Sequence, residues 1–215
     1  MTRRVLVINP NSSELMTAMI ASSARNALPD AEIEVLRMTE SPEGINTRAD
    51  EEIAIEAMLD HEVAGRLDDF DAIVIACFGD PGVPELQAHT TRPVVGIARN
   101  ALEYASLTHG GFAIVAASVD AEEIMRDLVD AYDLTDHCRS VTSVGIDAAS
   151  LARGGRDHLP AITSRIRELI TTLDNGVESV VLGCTALAPL AEDLEAELGI
   201  PILDPVNSAV RSIVS

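Results

Sequence analysis

Hydrophobic positions along the chain fall into short β-branched runs separated by longer stretches in which apolar residues recur every three or four positions. The runs "RVLVINP", "AEIEVLRM", "DAIVIAC" and "RPVVGI" predict four strands in the first half. "GFAIVAAS", "CRSVTSVGI", "VESVVLGC" and "IPILDP" predict four more in the second. Between them the pattern predicts a helix opening at "NSSE", with Asn11 as N-cap and Glu14 closing a capping box. Further helices are expected over "EEIAIEAMLDHEVAGRL", "VPELQAHT", "NALEYASLT", "VDAEEIMRDLVDAY", "HLPAITSRIRELITTLDNG", "PLAEDLEAELG" and "VNSAVRSIV", with "TESPEGINTRAD" as a loop. Strand and helix alternate throughout, the pattern of an α/β protein with parallel sheets.

The two halves repeat. An offset of 107 residues sets residues 4–11 on residues 111–118 and residues 70–77 on residues 177–184, cysteine on cysteine. Pro93 meets Pro201 with one residue of slip. Chance similarity among Val-rich strands does not account for both cysteines and both prolines, so the chain reads as an internal duplication. The expected architecture is two pseudo-symmetric lobes, each a four-stranded parallel sheet flanked by helices, with the active site in the cleft between them. The first lobe spans residues 1–100, with the helix at 206–215 packing back on it, and the second spans residues 101–205.

Composition narrows the chemistry. The 215 residues are 47% hydrophobic but only 2% aromatic, which demands an aliphatic core. A formal net charge of −20 argues against nucleic acid as a partner and disfavours an anionic membrane surface. No apolar run reaches the roughly 18 residues of a membrane span, and the first apolar run is too short for a signal peptide. A cytoplasmic, soluble protein is expected. All 15 basic residues are arginine. Without lysine there is no Schiff base for pyridoxal phosphate and no phosphate loop of the usual type. Three cysteines without a CxxC pair, and five histidines without metal-binding spacing, point away from disulfides and from a metal site.

Cys77 and Cys184 each end a strand and precede a turn and a helix start. Open parallel sheets bind ligands beyond the carboxyl ends of their strands, so a pseudo-two-fold arrangement brings the two thiols to one cleft. Backbone N–H groups aimed at them are expected to lower their pKa values. A thiolate on one face of a carbon acid removes a proton, and a thiol on the other face returns one. That is racemisation, which needs no cofactor. Cys138, which starts a strand without a partner, is expected to be a small buried hydrophobe. Asn9 at a strand end is a candidate substrate ligand and Asn11 a cap or a ligand. Phe78 is a candidate pocket wall, and Gly79 a point of close backbone approach. Thr185 is read as a cap or an oxyanion donor. Asp80-Pro81-Gly82 reads as turn chemistry, and the pairs Glu51/Glu52 and Glu122/Glu123 as solvated helix starts.

"INPN", "ACFGDPG" and "LGCTA" together resemble the aspartate/glutamate racemase superfamily, and within it the hydantoin racemase branch that includes allantoin racemases. The resemblance covers essentially the whole chain. It implies cofactor-independent racemisation of a small-molecule substrate, a 5-substituted hydantoin or related cyclic amide, with Cys77 and Cys184 as acid and base, in a homo-oligomer. It also makes Ser118, Thr185 and Ala186 candidate substrate contacts beside Asn9, Asn11, Phe78 and Gly79. The contexts Cys77-Phe78-Gly79 and Cys184-Thr185-Ala186 differ from those of the amino-acid racemases and point away from free aspartate or glutamate. Other readings on the same scaffold are an aspartate/glutamate racemase, a maleate cis–trans isomerase and an arylmalonate decarboxylase, the last disfavoured by the second cysteine. A non-catalytic binding shell for a small ligand is the remaining alternative.

Overall fold

The computed structural model describes residues 2–172 and 176–213. The first half runs β1 (Arg4–Asn9), α1 (Glu14–Ala27), β2 (Glu32–Arg37), α2 (Arg48–Met58), the single turn α3 (His61–Ala64), β3 (Ala72–Ile75), α4 (Val83–Gln87), β4 (Val94–Gly96) and α5 (Ile97–His109). The second half runs β5 (Phe112–Ala116), α6 (Val119–Ala131), β6 (Cys138–Ser143), α7 (Ala148–Gly154), α8 (Leu159–Thr172), β7 (Ser179–Leu182), α9 (Ala191–Leu198), β8 (Ile202–Leu203) and α10 (Pro205–Ser212). All eight expected strands form. They make two four-stranded parallel sheets of order β2-β1-β3-β4 and β6-β5-β7-β8. The order repeats because the sequence does. β3 and β7 stand 107 positions apart, as the two cysteines that follow them do.

Strand periodicity divides each sheet between two helix layers. Val5 and Val7 of β1 pack with Ile20 and Ala24 of α1 and with Val206, Ala209 and Val210 of α10. The alternate residues Leu6 and Ile8 face Met58, Leu67, Phe70 and Leu86. In the second sheet Ala113 and Val115 meet Leu151, Ile162, Ile166 and Leu194. Phe112 and Ile114 meet Ala98, Ala101 and Leu102 of α5 and Met125 and Val129 of α6. The lobes also share core: Met16 of α1 is buried among second-half residues, and Phe78 packs in the cluster around Phe112.

Helix boundaries depart from the expected ones at several caps. The first helix is capped by Ser13, whose hydroxyl accepts from Met16 N–H, and not by Asn11 with Glu14. Asn11 instead uses its side-chain oxygen to accept from Asn9 Nδ2 and from the Ser13 N–H. A capping box does form, by Thr47 and Asp50, at the start of α2 within the stretch read as a loop. The run expected to continue to Leu67 stops at Met58 and restarts as α3. α5 begins at Ile97, ahead of its expected start, because Asp80 accepts from the Ala98 and Arg99 N–H groups, both at 2.8 Å. α7, absent from the expected elements, is capped by Asp147 through the Ser150 N–H. The end of the expected helix at 173–175, and residues 214–215 of the last one, lie outside the described residues. Among the described residues no helix is long and apolar enough to cross a membrane.

Candidate active site

β1 pairs with β3 from Val5↔Ala72 to Ile8↔Ile75, and β5 with β7 from Phe112↔Ser179 to Val115↔Leu182. In each sheet this central pair is where the strand order reverses, so the chain beyond β3 and β7 hangs over a switch point. Cys77 and Cys184 lie there, two residues past their strands, and both line one cavity of about 50 Å³.

Its cover is visible. The segment between β2 and α2 reaches from the first lobe onto the second, where Asn46 Oδ1 accepts from the Ala148 N–H at 3.5 Å. Glu43 pairs with Arg153 at 3.0 Å and Arg48 with Asp127. Ile45 and Asn46 of this segment line the cavity.

Each cysteine receives backbone donors in the equivalent way: Gly79 N–H at Cys77, and Ala186 and Leu187 N–H at Cys184. These donors do not lower the thiols as the sequence reading expected. Burial outweighs them, pushing Cys77 up to about 12 and Cys184 up to about 11. Negative charge on Glu51, Cys184 or Asp80 raises Cys77 further. Both thiols are therefore protonated at neutral pH in this structure. Cys138 begins β6, half-buried and outside the cavity, with its thiol near the Ser140 carbonyl at 3.6 Å.

Of the other expected contacts, Asn11, Phe78, Gly79 and Thr185 line the cavity. Among the described residues Asn11 Nδ2 has only the Met16 sulfur as acceptor, at 3.7 Å, and is available to a ligand oxygen. Asn9, Ser118 and Ala186 are not brought to the lining. Asn9 is fully buried and spent internally, its Nδ2 donating to Asn11 Oδ1 at 3.0 Å and Thr17 Oγ1 at 2.8 Å. Ser118 precedes α6 without capping it through its side chain. Ala186 contributes its N–H to Cys184 while its methyl group sits in the core.

Two carboxylates were misplaced by the sequence reading. Asp80 is not merely part of a turn. At φ 47° it turns inward and accepts from the α5 N-terminus and, at 2.9 Å, from Tyr132 Oη at the end of α6. Glu51 is not solvated: it is 9% exposed and lines the cavity beside Cys77, whereas Glu52 is exposed. The signal was present, since Glu51, Ala54 and Met58 form the buried stripe of α2 at helical spacing. Among the described residues no cluster of three His, Cys, Asp or Glu side chains is placed to hold a metal ion.

A family model described as Asp/Glu/Hydantoin racemase matches residues 5–213. The hydantoin racemase of Paenarthrobacter aurescens is 32% identical over 97% of this chain and 88% of its own length. The allantoin racemase structure from Klebsiella pneumoniae has a TM-score of 0.91 at 33% identity, covering 99% of this chain and 86% of that one. The allantoin racemase structure from Pseudomonas fluorescens has a TM-score of 0.88 at 26% identity, covering 98% and 89%. The chain belongs to the Asp/Glu/hydantoin racemase family.

Proposed function

We propose that this racemase inverts the stereocentre of a 5-substituted hydantoin, such as allantoin, through two cysteines and without a cofactor. The observation that supports it most is the placement of Cys77 and Cys184 at equivalent strand ends of the two halves, lining one cavity with backbone N–H groups on each. In this reading one cysteine, as thiolate, takes the proton from C5, and its S–H bond forms as the C–H bond breaks. The electron pair moves to the adjacent carbonyl oxygen, giving an enolate. Asn11 Nδ2 is available to donate to that oxygen, which stabilises the developing charge. The opposite thiol then delivers its proton to the other face of C5 and is left as thiolate. Atoms and charge balance, and the two cysteines have exchanged protonation states. We place the division of the lobes at residues 100/101, within α5, with α10 belonging to the first. A homo-oligomer in the cytoplasm belongs to the same proposal.

The test is racemisation of single-enantiomer 5-alkyl hydantoin, allantoin and aspartate in D₂O, followed by circular dichroism and proton NMR. The inverted product should carry deuterium at C5 from the first turnovers, and the hydantoins should outpace aspartate. An unchanged ellipticity for every hydantoin rejects the proposal.

A pH dependence follows from the raised thiols. The base has to be made by losing a proton that is held up to about 11 or 12 in the buried site. The active one-thiolate form therefore grows with pH. kcat/KM should rise from about pH 7 to about pH 9, by up to roughly ten-fold per unit. A flat or falling profile over that range contradicts the thiol assignment.

A further inference from the structure

Glu51 is a charged side chain at a cavity wall with half of its carboxylate unaccounted for. Its Oε1 is buried and has no hydrogen-bond partner among the described residues. Its Oε2 lies 3.7 Å from Arg48, a guanidinium also paired with Asp127 of the other lobe. The carboxylate occupies space that the chain keeps clear for it. A Cβ on Gly79 would meet Glu51 Oε1 at 2.0 Å, so any other residue there displaces Glu51. Gly79 is also the residue whose N–H serves Cys77, which sets the carboxylate beside the thiol. Leaving a buried carboxylate oxygen without a donor costs about 1–3 kcal/mol or more. Buried polar atoms in native proteins are seldom left without a partner.

Glu51 lines the cavity, so a bound ligand can supply the donor that Oε1 lacks. An N–H of a neutral ring satisfies Oε1, while a ligand carboxylate at the same place meets like charge in a water-poor site, where repulsion is weakly screened. Asn11 Nδ2, on the same cavity, offers a donor to a carbonyl. An acceptor for N–H and a donor for C=O together match the alternating edge of a cyclic amide. We propose that Glu51 is a specificity-determining residue of this site, selecting N–H-bearing neutral substrates and excluding those that present a carboxylate beside Cys77. The assignment rests on the cyclic-amide reading above and deepens it. Burial raises the Glu51 carboxyl to about 7, so it is ionised under alkaline assay conditions.

The experiment pairs like-shaped neutral and anionic probes at about pH 8, where Glu51 is mostly charged and the imide N–H of the ring is mostly retained. The first pair is a 5-alkyl hydantoin against hydantoin-5-acetate. The second is iodoacetamide against iodoacetate, with alkylation at Cys77 read by peptide mass spectrometry and Cys138 as internal reference. Comparing two reagents at one thiol cancels that thiol's own ionisation. In the wild type both pairs should favour the neutral member. In Glu51→Gln the preference should fall at least about five-fold in both, through a higher KM for the neutral ring and a lower one for the anionic ring. Glu51→Ser provides a second variant if the first melts early. An unchanged neutral-to-anion ratio in a folded variant overturns the assignment. If the wild type racemises neither ring, the hydantoin reading fails by itself, and the alkylation ratio still decides whether Glu51 screens charge at Cys77.

Discussion

On the proposed mechanism, replacing Cys77 or Cys184 by serine should reduce racemisation about a thousand-fold or more in both directions, because a hydroxyl is a poor base and a poor proton donor near neutral pH. The proton exchange that survives should differ between the two variants. In Cys77→Ser, Cys184 still removes a proton from its own face and returns a solvent deuteron to it. One enantiomer then exchanges without inverting, while the other does neither. Cys184→Ser should show the opposite preference. Cys138→Ser, changing a thiol outside the cavity, should leave kcat and KM near wild type. Chiral chromatography and NMR in D₂O read inversion and exchange separately. Full racemisation by either single variant contradicts the two-base mechanism.

Asp80→Ala should destabilise the fold by about 2–4 kcal/mol, lowering the melting temperature by roughly 5–15 °C for a chain of this size. Three donors from two elements, the Ala98 and Arg99 N–H groups and Tyr132 Oη, lose their buried acceptor together. Tyr132→Phe removes one of those bonds and should cost about 1 kcal/mol. The effect carries a pH signature. Burial raises the Asp80 carboxyl from 3.8 to about 6, against the pull of its donors. The folded chain therefore holds this proton more tightly than the unfolded chain, and the associated stability is present below about 4 and lost as pH rises through about 6. The gap in urea midpoint between wild type and Asp80→Ala should narrow across that interval. A gap that widens with pH contradicts the raised carboxyl.

The strands and the cysteine pair were legible because buried parallel strands write themselves as continuous β-branched runs, and because a duplicated chain shows each run twice. What was not legible had two sources, a partner distant in sequence and a choice among neighbouring residues with the same chemistry. α5 starts at Ile97 because Asp80 caps it across the end of the sheet, a relation no local pattern announces. At the first helix, Asn11, Ser12 and Ser13 all had the chemistry to cap. Ser13 does so, while the buried amide of Asn9 engages Asn11. Asn9 looked like a ligand residue because it ends a strand over the switch point, yet the first turn of α1 lies against it and consumes its amide. Glu51 was hidden by its neighbour: an acidic pair at a helix start usually faces water, and only the three-and-four spacing with Ala54 and Met58 separates the inward residue from Glu52.

The two sides of the cleft are unequal, with a carboxylate beside one cysteine and a threonine following the other. In a racemase of an isolated stereocentre, thermodynamics limits what that inequality can do. The enantiomers have the same free energy in water, so the equilibrium constant is one, and kcat/KM must be identical in the two directions. Glu51 and Thr185 are therefore free to favour binding of one hand only if that hand is turned over more slowly in the same proportion. Asymmetry built onto the duplicated frame appears as paired changes in kcat and KM, and never as a preference for the direction of reaction.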